Sequence, residues 1–355
     1  MQYASKTSCW LFRAPCVKKL LEAHCLNKIK ALVLLPPDDE DAHYFLDLIS
    51  LDPELHDCVE LIFARSEEAF SCIKQVEVVV CGNLSDELIA DASVLRWIMF
   101  WSAGMDGKAR PNLLERNIAL TNASGVHGPN IAEHVLAWML MFNRRMDFHY
   151  RMQIEGQWRR EPEKNRREAS ELTGKTLGIV GLGRIGEALA KRAKAFDMRV
   201  VATKRDLSSR HEGNDIDELI PISKLPELLS QSDHICIALP YTPETHHLLN
   251  ADLLEHCKNG SFLYNIARGK IIDELALVQA LKSGKLAGVG LDVFEQEPLQ
   301  AESELWTLPN VLITPHTAGL TPLYFKRTAE LFAANLKRFL KKEPLENLYN
   351  VDKGY

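Results

Sequence analysis

The stretch "LGIVGLGRIG" places Gly181, Gly183 and Gly186 in G-x-G-x-x-G spacing. Gly181 permits a tight turn, Gly183 lets the backbone approach a pyrophosphate, and Gly186 lets a helix pack close to its strand. An apolar run precedes the loop and the helical run "EALAKRAKAF" follows it, which is the strand–turn–helix context the spacing needs. The helix start, at Arg184 and Ile185, would turn N–H groups and the positive end of the helix dipole toward an anion.

The next strand end, "VVATKRD", sharpens the chemistry. An acid at that place hydrogen-bonds the ribose 2′-hydroxyl of NAD and would repel the 2′-phosphate of NADP. Lys204 stands there instead, with Thr203 and Arg205 beside it. Arg205 can fork onto phosphate oxygens, and Lys204 can add a point charge. The pair favours NADP(H) over NAD(H); a register two residues longer would put Asp206 at the place and restore an acid.

Three later segments carry further candidates: "NIARGKIID" with Arg268, "GLDVFEQEP" with Asp292 and Glu297, and "ITPHTAG" with His316. Each lies at or just past the C-terminal end of a strand-like run, where open α/β sheets bind ligands, so the three can converge on one crevice. A guanidinium offers a fixed fork of donors to an anion. An imidazole, with a reference pKa of about 6.5, can give or take a proton near neutral pH. A carboxylate on its far nitrogen would fix the ring and favour the imidazolium.

To position these groups the chain must build strands buried on both faces. Continuous apolar runs occur at 31–36, 59–64, 76–81, 96–101 and 118–123, and again at 176–181, 198–203, 234–239, 261–266, 287–293 and 311–315. Helical stretches separate them, which predicts two doubly wound α/β domains with parallel sheets. The second set matches a Rossmann dinucleotide-binding domain. A long helix is expected over about 130–152, then an exposed, charge-dense arm through "EGQWRREPEKNRREASELTGK". The C-terminal amphipathic helix is expected to pack back on the first domain, making it discontinuous. The expected division is an N-terminal arm at 1–28, a substrate domain at 29–128 and 320–355, and the dinucleotide-binding domain at 129–319.

Of 355 residues, 46% are apolar and 25% charged, with a formal net charge of −6, an ordinary globular balance with no basic surplus for a phosphate backbone, so nucleic acid is not an expected partner. No apolar run reaches membrane-spanning length. The eight cysteines include no C-x-x-C pair and no zinc spacing, so no metal is expected, and their usage fits a reducing compartment. Residues before Pro37 are poor in acids, which can mark organelle targeting; an arm on a cytoplasmic protein is the simpler expectation.

The chain resembles the D-isomer-specific 2-hydroxyacid dehydrogenases. The resemblance runs from about residue 30 to 350 and rests on "LGIVGLGRIG", "ALPYTPETHHLLN", "NIARG", "GLDVFEQEP" and "TPHTAG" in that order. It implies a two-domain homodimer, with a central Rossmann domain and a flavodoxin-like substrate domain. It implies Arg268, Glu297 and His316 as the catalytic set. In such a site Arg268 binds and orients a 2-keto acid, hydride reaches the keto carbon from the nicotinamide, and His316 protonates the developing alkoxide with Glu297 on its far nitrogen. The resemblance also places backbone N–H groups around Ala103 and Gly104, in "WSAGMDG", on the substrate carboxylate. It puts Leu239, Pro240, Thr245, Ile266, Ala267 and Gly319 on the cofactor side, while Asp292 reads as a cofactor-side or structural acid rather than a proton donor. His127, in the hinge segment "NASGVHGPNIAEH", could reach the substrate pocket or could simply bond backbone.

The expected function is an NADP(H)-dependent reductase of small 2-keto acids to D-2-hydroxy acids. Glyoxylate and hydroxypyruvate are the expected substrates, because "SGVHG" and the cations of "TKR" resemble that branch. The alternatives are an NAD(H)-dependent D-2-hydroxyacid dehydrogenase with another substrate, and a dinucleotide-sensing scaffold like the C-terminal-binding corepressors.

Overall fold

The computed structural model describes residues 28–158, 169–207 and 215–351. The expected N-terminal arm lies outside the described residues save for Lys28, and the charge-dense arm lies outside them over 159–168. The chain divides into two units: Met1–Asn122 with Phe325–Tyr349, and Ala123–Tyr324 with Asn350–Tyr355.

In the first unit the strands are β1 (Ile29–Val33), β2 (Val59–Phe63), β3 (Val78–Cys81), β4 (Trp97–Phe100) and β5 (Ala119–Asn122), with helices α1 (Ala42–Ser50), α2 (Asp86–Asp91) and α3 (Pro111–Leu114) between them. The sheet is parallel in the order β2-β1-β3-β4-β5, the flavodoxin-like order. Every residue of β3 and β4 is buried, which is why these runs read as unbroken apolar stretches rather than alternating ones.

In the second unit the strands are β6 (Thr176–Val180), β7 (Arg199–Lys204), β8 (Glu218–Pro221), β9 (His234–Ile237), β10 (Ser261–Asn265), β11 (Leu286–Leu291) and β12 (Val311–Ile313). Its helices are α4 (Gly128–Asn143), α5 (Met146–Ile154), α6 (Arg184–Lys194), α7 (Leu225–Gln231), α8 (Ala251–Glu255) and α9 (Glu274–Lys282). The order β12-β11-β10-β9-β6-β7-β8 is the Rossmann order with one strand added beyond β11. The last helix, α10 (Tyr324–Lys341), returns to the first unit, where Phe332 and Phe339 each lie 5.5 Å from the Trp97 ring.

Two elements differ from expectation. The helix expected over 130–152 is interrupted: α4 stops at Asn143, and Arg145 takes a left-handed φ of 55°. Asn143 is buried, and its amide donates 2.8 Å to the Met139 carbonyl and lies 3.1 Å from His234 Nε2. The helix therefore ends on a polar residue committed to the core. β8 is an additional strand; among the described residues it pairs with β7 alone and ends in Pro221, an edge position where the missing N–H is tolerated.

Candidate active site

The glycine loop leaves β6 and enters α6. Gly181 has a φ of +99°, open to glycine, and a Cβ there would lie 2.7 Å from the Leu239 side chain. A Cβ on Gly186 would come within 3.0 Å of the Gly181 carbonyl, so the helix packs as closely as the spacing implied. A Cβ on Gly183 would meet nothing within 4 Å, and no side chain caps the helix start at Arg184 and Ile185. The backbone therefore faces open space with a helix dipole behind it, a cradle that fits a pyrophosphate.

Thr203 is buried, and its hydroxyl accepts 3.0 Å from the Gly181 N–H while its carbonyl accepts 2.7 Å from Leu182 N. It ties the end of β7 to the loop. Lys204 is the last residue of β7 and only partly buried; Arg205 is exposed, and Asp206 follows two residues beyond the strand. The Thr242 hydroxyl holds the Glu244 carboxyl below its usual range, with Arg205 as a smaller contribution, so Arg205 and the turn at Pro243–Thr245 lie in the same neighbourhood. Thr245 is buried and donates 2.9 Å to the Pro240 carbonyl, which braces the segment after β9.

Arg268 stands three residues past β10. Asn265, buried at the strand's end, fixes it: the side-chain amide donates 2.9 Å to the Arg268 carbonyl, and its oxygen accepts 3.1 Å from Ala267 N. Ile266 and Ala267 are buried between them. A Cβ on Gly269 would lie only 1.8 Å from the Phe294 backbone. The Arg268 loop and the Glu297 loop are therefore in backbone contact, which glycine alone allows.

Glu297 uses both oxygens. One accepts 3.1 Å from Phe294 N, and the other lies 2.7 Å from His316 Nδ1. The His316–Glu297 pair is half-exposed, and the bond to Glu297 engages Nδ1 rather than Nε2. His316 has a left-handed φ of 55°, uncommon outside glycine. Asp292 holds that turn: its carbonyl accepts 2.9 Å from His316 N, and its buried carboxylate accepts from Thr314 Oγ1 at 2.6 Å, Thr317 N at 2.8 Å and Ala318 N at 3.1 Å. His127 Nδ1 bonds the Gly319 carbonyl at 3.0 Å, and its ring stacks on Tyr324 at 4.8 Å.

Glu297 and His316 are thus joined directly, and the Arg268 loop abuts them through Gly269. Ala103 and Gly104 belong to the first unit, on the loop after β4, where Ser102 Oγ donates 2.9 Å to the Gly104 carbonyl and accepts a bond from Lys108 Nζ. A cavity of about 710 Å3, lined by Phe142, Asp147, His234 and Phe262, opens at the N-terminal ends of the second unit's strands, the opposite end of that sheet from Arg268, Glu297 and His316. Sequence reasoning missed Asn265 and Thr314. The signal for both was a polar side chain at the end of an apolar strand, which in a buried sheet must find a partner.

Comparison with known proteins bears on the chain and its fold. Residues 136–318 match the model of the D-isomer specific 2-hydroxyacid dehydrogenase NAD binding domain. The chain is 36% identical over 311 residues to the glyoxylate reductase of Thermofilum pendens, covering 84% of this chain and 90% of that one. A solved structure of a D-isomer specific 2-hydroxyacid dehydrogenase family protein from Aeromonas salmonicida superposes with a TM-score of 0.73 at 33% identity, covering 91% of this chain and 99% of that chain. The NADPH-dependent glyoxylate/hydroxypyruvate reductase of Sinorhizobium meliloti, solved with NADP and sulfate, does so with a TM-score of 0.76 at 25% identity, covering 92% and 100%.

Proposed function

The chain belongs to the D-isomer-specific 2-hydroxyacid dehydrogenases, enzymes that use NAD(P) to interconvert a 2-keto acid and a 2-hydroxy acid, and we propose that it works as an NADPH-dependent reductase of glyoxylate and hydroxypyruvate. The observation that carries the reading is the 2.7 Å pairing of His316 with Glu297 beside the Arg268 loop. Arg268 would clamp the substrate carboxylate and the keto oxygen, and the N–H groups around Ala103 and Gly104 are proposed as further donors to a substrate carboxylate. The bound nicotinamide supplies the hydride. His316, protonated and held by Glu297, gives its Nε2 proton to the forming alkoxide; in oxidation the neutral ring takes it back.

Gly181, Gly183, Arg184, Ile185 and Gly186 would hold the pyrophosphate, and Lys204 and Arg205 the 2′-phosphate. The open face over Gly183 and the end of β7 at Lys204 support that placement. Leu239, Pro240, Thr245, Ile266, Ala267, Asp292 and Gly319 would border the cofactor. The S. meliloti reductase, described as NADPH-dependent, supports the choice of cofactor and substrates. The test is Lys204→Asp with Arg205→Ala, measuring kcat/KM with NADPH and with NADH. Losing two charge-assisted contacts should cut the NADPH/NADH ratio by about 100-fold; an unchanged ratio overturns the cofactor assignment.

A homodimer fits the same reading. Met146, Tyr150 and Ile154 form an i, i+4, i+8 stripe on α5, 52%, 60% and 70% exposed, and Trp158 just beyond is 96% exposed. Such an apolar face suits a second copy of the chain, and the sedimentation coefficient of the protein reads it directly.

A further inference from the structure

We infer that His134, on α4, is a positioning residue for His316: its Nε2–H fixes the Thr314 hydroxyl, and through it the Asp292 carboxylate that holds the His316 turn. The inference rests on the reading of His316 as the acid/base group. His134 closes the segment "NASGVHGPNIAEH", 180 residues before Thr314 in the chain, yet its Nε2 is 3.1 Å from Thr314 Oγ1.

The direction of each bond follows from counting hydrogens. The Thr314 hydroxyl has one, and it lies 2.6 Å from Asp292 Oδ1. Among the described residues the Asp292 carboxylate is otherwise met by donors, the N–H groups of Thr317 and Ala318. The hydroxyl therefore donates to Asp292, and His134 Nε2 must donate to the hydroxyl. Burial lowers the ring's pKa, against a smaller opposing pull from Asp292, and a single Nε2–H is all the bond to Thr314 requires. Its orientation is set by Trp138, one helical turn on, which packs edge-on at 4.3 Å and 83°.

The result is a directed chain from α4 to the catalytic turn. His134 donates to Thr314, and Thr314 donates to Asp292. Asp292 accepts from the two residues after His316 through its carboxylate and from His316 itself through its carbonyl. His316 is held at a left-handed φ of 55°, a conformation that surrounding bonds must maintain. Without the His134 donor, the Thr314 hydroxyl is free to rotate, and Asp292 loses a bond oriented on its Oδ1.

Two variants test this in the full-length protein. His134→Phe keeps an aromatic ring against Trp138 and removes the donor. His134→Gln keeps an amide N–H at a similar reach. The readouts are hydrogen exchange of the Thr317 and Ala318 amides without substrate, and kcat and KM for hydroxypyruvate with saturating NADPH. The expected result for the Phe variant is exchange at those amides at least about tenfold faster, and kcat about tenfold lower with KM changed less than about twofold. The Gln variant should restore both. Unchanged exchange in the Phe variant, or an equal loss in both variants that tracks a lower thermal midpoint, overturns the inference. If the wild type reduces no 2-keto acid, the reading of His316 fails by itself, while the exchange rates still decide whether His134 holds the turn.

Discussion

Glu297 divides its two oxygens between a backbone N–H and an imidazole, and that division sets what each atom contributes. The bond to Phe294 N fixes the carboxylate; on the proposed mechanism the other oxygen orients His316 and offsets the charge it would carry as an acid. Glu297→Gln keeps the size and one acceptor but removes the negative charge. It should lower kcat for keto-acid reduction by about 10- to 100-fold while leaving NADPH binding nearly unchanged, since the proposed role concerns the proton and not the dinucleotide. Steady-state kinetics beside a direct NADPH titration checks both halves, and an unaltered kcat removes Glu297 from the mechanism. At this scale the sequence was informative for one reason. Arg268, Glu297 and His316 each sit in a short motif after a strand, and a parallel sheet collects such ends on one edge. The roles of Thr314 and His134 were not legible, because the partner of each lies far along the chain and emerges only from the fold, whereas Asn265 bonds Ala267 and Arg268 close by and was passed over as an ordinary strand-end amide.

The elements that matter most are the tight segments following β10 and β11. Gly269 lets the Arg268 segment rest on the Phe294 backbone, and a methyl group there would stand 1.8 Å from the Phe294 carbonyl carbon. One segment must move to admit it. Gly269→Ala should therefore displace Arg268 relative to Glu297 and reduce kcat/KM by about 100-fold, the scale expected for a shift of roughly 1 Å in a reacting group. A crystal structure of the variant would show the moved loop; wild-type kinetics in a folded variant would contradict the account of why glycine is there. Most strands were readable as continuous apolar runs because both of their faces are covered. The break between α4 and α5 was not, because helical periodicity continues past Asn143 while the side chain of Asn143 turns into the core. β8 was missed because a four-residue edge strand ending in proline carries too little pattern.

At the scale of the whole molecule, a buried titratable group links the second unit's sheet to pH. His234 opens β9, fully buried, with Nδ1 2.9 Å from the Tyr264 hydroxyl, and burial pushes its pKa down to about 4. In the unfolded chain it returns to about 6.5. Between those values the unfolded chain binds the extra proton, so the contribution to stability is complete above the upper value and is lost as pH falls toward the lower one. Going from pH 7 to pH 5 should cost on the order of 2 kcal/mol through this group. The urea midpoint of the wild type should fall more steeply over that range than that of His234→Asn, which has no such proton to bind; equal slopes would assign the acid sensitivity elsewhere. Above every such detail stands the claim that this molecule moves a hydride onto a 2-keto acid and a proton from His316 onto its oxygen. The most direct test follows NADPH consumption on adding hydroxypyruvate to the wild type and to His316→Gln, with the product's configuration determined. The account predicts rapid consumption and D-glycerate from the wild type, and a rate at least about 100-fold lower in the variant. A wild type inert toward hydroxypyruvate and glyoxylate, or a variant as fast as the wild type, would contradict it.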